Sequence, residues 1–134
     1  MYEITLWPIV FCAVANMVLG MVWYHQKVFG TIWMRLSNLT PEMVEKGKKT
    51  MVVRMIAAFF GAMLVAYVLN HFGIAWGVYD WAGAIELGVW IWIGFVAPTM
   101  VGMVLWEQRP MKLFLLNSAY WLISLVIMSL ILVI

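Results

Sequence analysis

The chain has 134 residues, 66% of them hydrophobic and only 10% charged, with a net charge of +2, and its mean hydropathy is +1.00. A soluble domain carries about 25% charged residues, so a soluble globule is excluded. The length leaves no room for a soluble catalytic domain beside the apolar segments. The eight Lys and Arg residues are too sparse for a nucleic-acid surface, and no nucleic-acid partner is expected.

Four apolar runs fill most of the sequence, at 3–24, 51–72, 81–106 and 113–134. A helix rises about 1.5 Å per residue, so ~20 residues cross about 30 Å of hydrocarbon, and every run meets that length. The expected fold is an all-α membrane protein, one transmembrane domain over 1–134 with four transmembrane helices as two antiparallel hairpins. The lipid bilayer is its first partner.

The first run starts at once and is followed by a basic segment, which fits a retained helix rather than a cleavable signal. Cys12 is the single cysteine, so no internal disulfide forms, and its mid-span place suits a small packing residue. The connection 25–50 has structure of its own. Phe29, Ile32, Trp33 and Leu36 recur at helical spacing beside Lys27 and Arg35, predicting a short interfacial helix that Gly30 interrupts. Thr40, Pro41 and Glu42 then read as a helix start: a capping hydroxyl, a proline suited to the first turn, and an acid that complements the dipole. The solvated turn Glu45–Lys49 leads into the second run near Met51. The other connections, 71–80 and 107–112, are short.

Charge placement sets an expected topology. Lys27, Arg35, Lys46, Lys48, Lys49 and Arg54 follow the first run, and Arg109 and Lys112 separate the last two. The middle connection carries only Asp80 and the N-terminal end only Glu3. Basic residues near span ends stay cytoplasmic, so both termini are predicted outside. Gly20–Lys27 also resembles Gly102–Arg109 at four of eight positions, which suggests a parallel repeat.

Small and polar residues recur every fourth position within the runs: Cys12, Asn16, Gly20 and Tyr24; Ala58, Ala62, Ala66 and Asn70; Glu86, Trp90, Gly94, Pro98 and Gly102; and, on the fourth, Asn117, Trp121 and Ser124. Such spacing puts side chains on one helical face. Between membrane helices, small residues let backbones approach and amides bond across. Asn16, Gly20, Trp90, Gly94, Pro98, Gly102, Asn117 and Tyr120 are therefore expected to pack helices or line a cavity. Pro98 removes a backbone donor and should kink the third helix.

Glu86 is the sharpest single feature. An ionised carboxylate inside a span is costly unless paired, hydrated or protonated. Asn70 and His71, with Tyr2, are its candidate partners at that depth. Glu86, His71, Asp80 and Asn70 are the candidates for a proton-linked or cation site near the outer face, His71 because imidazole titrates in the useful range. The structural alternative is a carboxylate that reaches the interface or bonds His71. His25 lies a membrane thickness away, and no HxxxH, cysteine pair or Glu-x-x-His is present, so neither a metal nor a cofactor is expected. No phosphate loop, dinucleotide fingerprint or nucleophile elbow occurs. Trp7, Trp76 and Trp81 form one interfacial belt and Trp23, Trp33 and Trp106 the other, while Trp90 and Trp92 lie deeper.

Asn16 with Leu19-Gly20-x-x-Trp23-Tyr24, then Phe29-Gly30-x-x-Trp33-Met34, resembles the opening signature of the small membrane proteins grouped as domain of unknown function 1761. Trp92-Ile93-Gly94-Phe95, the Glu107–Leu113 turn and Asn117-x-x-Tyr120 are similar to that family as well. The resemblance runs over nearly the whole chain. It implies a four-helix bacterial or archaeal membrane protein and carries no activity. His25-Gln26-Lys27 departs from it, since smaller or apolar residues are expected before Phe29-Gly30.

Three functional classes follow. The first is a non-enzymatic, self-associating channel-like or carrier-like protein for a small solute or ion, any pore lying at a subunit interface because four short helices enclose little space. The second is a non-catalytic accessory subunit of a larger membrane complex. The third, with least support, is a small intramembrane enzyme acting on a lipid or quinone, with Glu86 or His25 as the acid–base group.

Overall fold

A computed structural model describes residue 1 and residues 3–134. Among the described residues the chain is all helix, with six helices and no strand. The four long ones are α1 (Leu6–Trp23), α4 (Met51–Ala75), α5 (Trp81–Leu105) and α6 (Met111–Val133), each long and apolar enough to cross a membrane. Two short helices, α2 (Thr31–Leu36) and α3 (Pro41–Lys48), fill the first connection.

Local chemistry sets the ends. The Thr40 hydroxyl accepts the Met43 N–H at 3.2 Å, with Pro41 opening α3. Asp80 caps α5 by accepting the Gly83 N–H at 2.7 Å. α4 runs to Ala75, three residues beyond the predicted end at 72, and His71 lies within it. What stops α4 is Gly77, whose φ of 67° lets the Val78 N–H reach the Gly73 carbonyl and the Gly77 N–H that of Ile74. Asn38 closes α2 the same way, at a φ of 56°.

Two π-helical turns break the regular ladder. Gln26–Gly30 precedes α2, with the Gly30 N–H bonded to the His25 carbonyl at 2.9 Å. A Cβ on Gly30 would fall on the Tyr24 carbonyl oxygen and within 2.8 Å of the His25 carbonyl, so this turn forms only around glycine. Gly30 is thus what the turn is built on, not an interruption of α2. The second π turn, Trp92–Val96, lies inside α5 just before Pro98. Proline supplies no N–H, the ladder slips to Ala97 bonding Trp92, and the Thr99 hydroxyl reaches the carbonyls of Phe95 at 2.8 Å and Val96 at 2.9 Å.

α6 is the hub, packing against α1 and α5 and touching α4, while α1 also packs against α4. Cys12, Ala13, Ala62, Ala66, Ala84, Leu87, Leu125 and Met128 are buried between the helices, together with the polar Asn16, Asn70, Ser118, Ser124 and Ser129. Contacts along α1 and α6 run in opposite sense, Cys12 to Met128 and Tyr24 to Asn117. α5 approaches α6 closely at Gly88, where a Cβ would stand 3.0 Å from the Val126 backbone. Large apolar side chains such as Trp7, Phe11, Val52, Phe60 and Leu64 are exposed on the outer faces, as a lipid-facing surface requires.

Candidate functional site

The polar residues that interrupt α1 and α6 meet between them. Asn16, Gly20 and Tyr24 lie a turn apart on one face of α1, opposite Asn117, Tyr120 and Ser124 of α6. The Asn16 side-chain oxygen accepts from the Tyr120 hydroxyl at 2.9 Å and from the Ser124 hydroxyl; the Tyr120 hydroxyl is also 2.9 Å from the Asn16 carbonyl. Asn16, Tyr120 and Ser124 are all buried. One turn nearer the basic end, the Tyr24 hydroxyl donates to the Asn117 side-chain oxygen at 2.8 Å. A Cβ on Gly20 would stand 3.1 Å from the Tyr120 hydroxyl, so glycine makes room for that ring.

Aromatic rings enclose this cluster. Tyr24 and Tyr120 have centroids 5.5 Å apart, Trp23 lies 4.6 Å from Phe29, and Tyr24 meets Trp33 edge-on at 5.2 Å. The π turn at Gly30 bends the chain back so that Phe29 and Trp33 return to the end of α1. The two sequence signatures and Asn117-x-x-Tyr120 are therefore one object in space. Sequence spacing singled out Asn16, Gly20, Tyr24, Asn117 and Ser124, and the Asn117-x-x-Tyr120 motif supplied Tyr120; the enclosure by Phe29 and Trp33 is carried by the π turn, which no spacing rule detects. The cluster holds hydroxyls, amides and rings, and its hydrogen bonds join α1 to α6. His25 Nδ1 accepts the Lys27 N–H at 3.1 Å and serves the turn.

The second candidate group does not come together. Glu86 is exposed on α5, and its carboxylate accepts from Trp90 Nε1 at 3.3 Å, one turn along the same helix. His71 is exposed on α4, its ring edge-on to Tyr67 at 4.7 Å. Asn70, adjacent in sequence, is buried and donates to the Glu3 carbonyl at 3.4 Å. Asp80 is spent on the α5 cap. Among the described residues no hydrogen bond or ion pair joins Glu86 to His71, Asn70 or Asp80, and no three His, Cys, Asp or Glu side chains could share a metal ion. Tyr2, the remaining predicted partner, lies outside the described residues.

The stripe continuing from Glu86 faces outward. Trp90, Gly94 and Pro98 are exposed, and a Cβ on Gly94 would meet nothing within 4 Å, whereas Gly102 is half-buried beside Trp106. The face of α5 that packs on α6 is instead Ala84, Leu87, Gly88 and Ile91, with Trp92 donating to the Ser118 carbonyl at 2.7 Å. Within one chain, then, Trp90, Gly94 and Pro98 lie on the exposed side of α5, away from its contact with α6. A groove of about 620 Å³ lies between α4, α5 and α6, lined by side chains such as Val68, Phe72, Phe95, Thr99, Trp121 and Leu125. Its lining is apolar apart from Thr99, whose hydroxyl is already bonded to its own helix.

No curated protein and no solved structure matches the chain. The family described as "Protein of unknown function (DUF1761)" matches residues 7–133, from the first turn of α1 to the last of α6. The chain belongs to that family, as a multi-pass membrane protein of unknown activity.

Proposed function

We propose that the protein is a self-associating membrane protein whose subunits meet along the Glu86 face of α5, and that a route or site for a small solute or ion lies between subunits. One observation carries this reading: Glu86 is a carboxylate exposed on the outer surface of a membrane-spanning helix. Lipid is the least favourable surrounding for it, and intramembrane carboxylates face bundle interiors or aqueous cavities. Within one subunit the buried polar groups Asn16, Tyr120 and Ser124 are bonded to one another between close-packed helices, which favours a route between copies over one through a single copy.

In this reading α1 with α4 and α5 with α6 form two antiparallel hairpins, supported by the close packing within each pair. The π turn and α2 lie in the interface. The basic connections face the cytoplasm and both termini face outward, in a prokaryotic cytoplasmic membrane; the placement of all eight Lys and Arg supports that orientation. Native mass spectrometry from lipid nanodiscs tests the assembly, with a discrete homo-oligomer expected. A strict monomer overturns it. Dye-reported cation flux into proteoliposomes tests the route, with flux expected from wild type and lost in Glu86→Gln.

A second reading, an accessory subunit of a larger membrane complex, is favoured by the open groove between α4 and α5. A partner's apolar helix fits that surface as well as lipid does. Purification at native expression that recovers a second polypeptide in fixed ratio would select it.

A further inference from the structure

We infer that the partner of Glu86 is His71 of a second copy of this chain, so that an imidazole–carboxylate pair across the subunit boundary holds the assembly together. This rests on the self-association proposed above and names the contact that drives it.

The first ground is depth. His71 lies four residues before the end of α4 at Ala75, and Glu86 five residues after the start of α5 at Trp81. At about 1.5 Å per residue these are about 6 Å and about 7.5 Å from the same end of the bundle. Two copies side by side in one bilayer bring the groups to one level.

The second ground is charge complementarity by elimination. All eight Lys and Arg lie at the other end, in or beside the connections 25–50 and 107–112. At the Glu86 end the groups able to carry positive charge are His71 and the terminal amine, and the amine donates to the Val78 carbonyl at 2.6 Å and is buried. Of the carboxylates there, Asp80 caps α5, Glu3 precedes α1, and that of Ile134 follows the last turn of α6. Glu86 alone stands within a membrane-spanning helix. One base and one embedded acid therefore remain, both exposed and not joined to each other within the subunit. The one hydrogen bond that Glu86 makes among the described residues, from Trp90 at 3.3 Å, is long and leaves acceptor capacity on the carboxylate.

The third ground is energetic direction. Between membrane helices the hydrophobic effect contributes little, and association depends on packing and polar bonds. A carboxylate and an imidazole facing lipid separately are each costly, and facing each other they bond and partly neutralise. An isologous dimer would form the pair twice and a ring once per boundary.

The test uses full-length chains in native membranes. Two differently tagged copies are co-expressed, one carrying Glu86→Cys and the other His71→Cys, and oxidised with copper–phenanthroline. A disulfide joining the two tags is expected, at a yield about tenfold above that of either variant paired with itself. A second measurement covers the lost charges: Glu86→His and His71→Glu should each lower the oligomer fraction in nanodiscs about tenfold, and the double swap should restore it. A wild-type oligomer with neither the 71–86 disulfide nor rescue by the swap overturns the His71 pairing and leaves self-association standing. A wild-type monomer overturns both.

Discussion

Asn16 is the residue on which the contact between α1 and α6 turns, because its one side-chain oxygen serves two hydroxyls from α6. Asn16→Ala leaves the Ser124 hydroxyl without that acceptor in a water-poor interior. It should lower stability by about 1–2 kcal/mol, against about 0.6 kcal/mol for Tyr24→Phe, which removes one bond at the half-buried edge. Reversible unfolding in mixed micelles measures both; equal losses would contradict the placement of Asn16. These residues were legible in the sequence because an amide or hydroxyl inside an apolar run has few reasons to be there other than a partner across the helix boundary. Gly30 was legible as a break but not as a requirement. The reason lies in the backbone of Tyr24 and His25, which crowds its missing Cβ. Gly30→Ala should cost about 1–3 kcal/mol in the same assay, as overpacking does.

At the scale of elements, α5 separates what a periodicity can and cannot reveal. Spacing by four picked out Glu86, Trp90, Gly94 and Pro98 as a face, and a face it is, but the outward one. In water the apolar side of a helix marks the core; in lipid both sides are apolar, and the pattern loses its sign. The inward face is marked by close approach at Gly88, a contact that depends on α6 and so is invisible in α5 alone. Gly88→Ala is expected to destabilise the bundle by about 1–3 kcal/mol, while Gly94→Ala, with open space around its Cβ, should change monomer stability by less than about 0.5 kcal/mol. The reverse order would mean that α5 is rotated. The π turn adds one residue to the count, which turns the segment beyond it by about 100° relative to an unbroken helix. Pro98→Ala returns the missing donor, and a shift of that size in the spin-label accessibility of 99–105 is expected.

For the whole molecule, four spans were readable from length and hydropathy alone, since the bilayer fixes how many apolar residues a crossing needs. The end of α4 was not: the apolar run was read to 72, whereas the helix continues to Ala75 and Gly77 sets the stop. The orientation we propose has a direct check in the five natural lysines, Lys27, Lys46, Lys48, Lys49 and Lys112. A membrane-impermeant amine reagent should modify them in inside-out vesicles and leave them intact in right-side-out ones. Cys12 adds a consequence of another kind. It is fully buried, its thiol directed at the Met128 carbonyl at 3.4 Å, where α1 crosses α6. No maleimide reaches it while those two helices stay together. The untouched protein thus contains its own clock for opening: the rate at which this one thiol alkylates counts how often the bundle comes apart, in any lipid and without a single substitution.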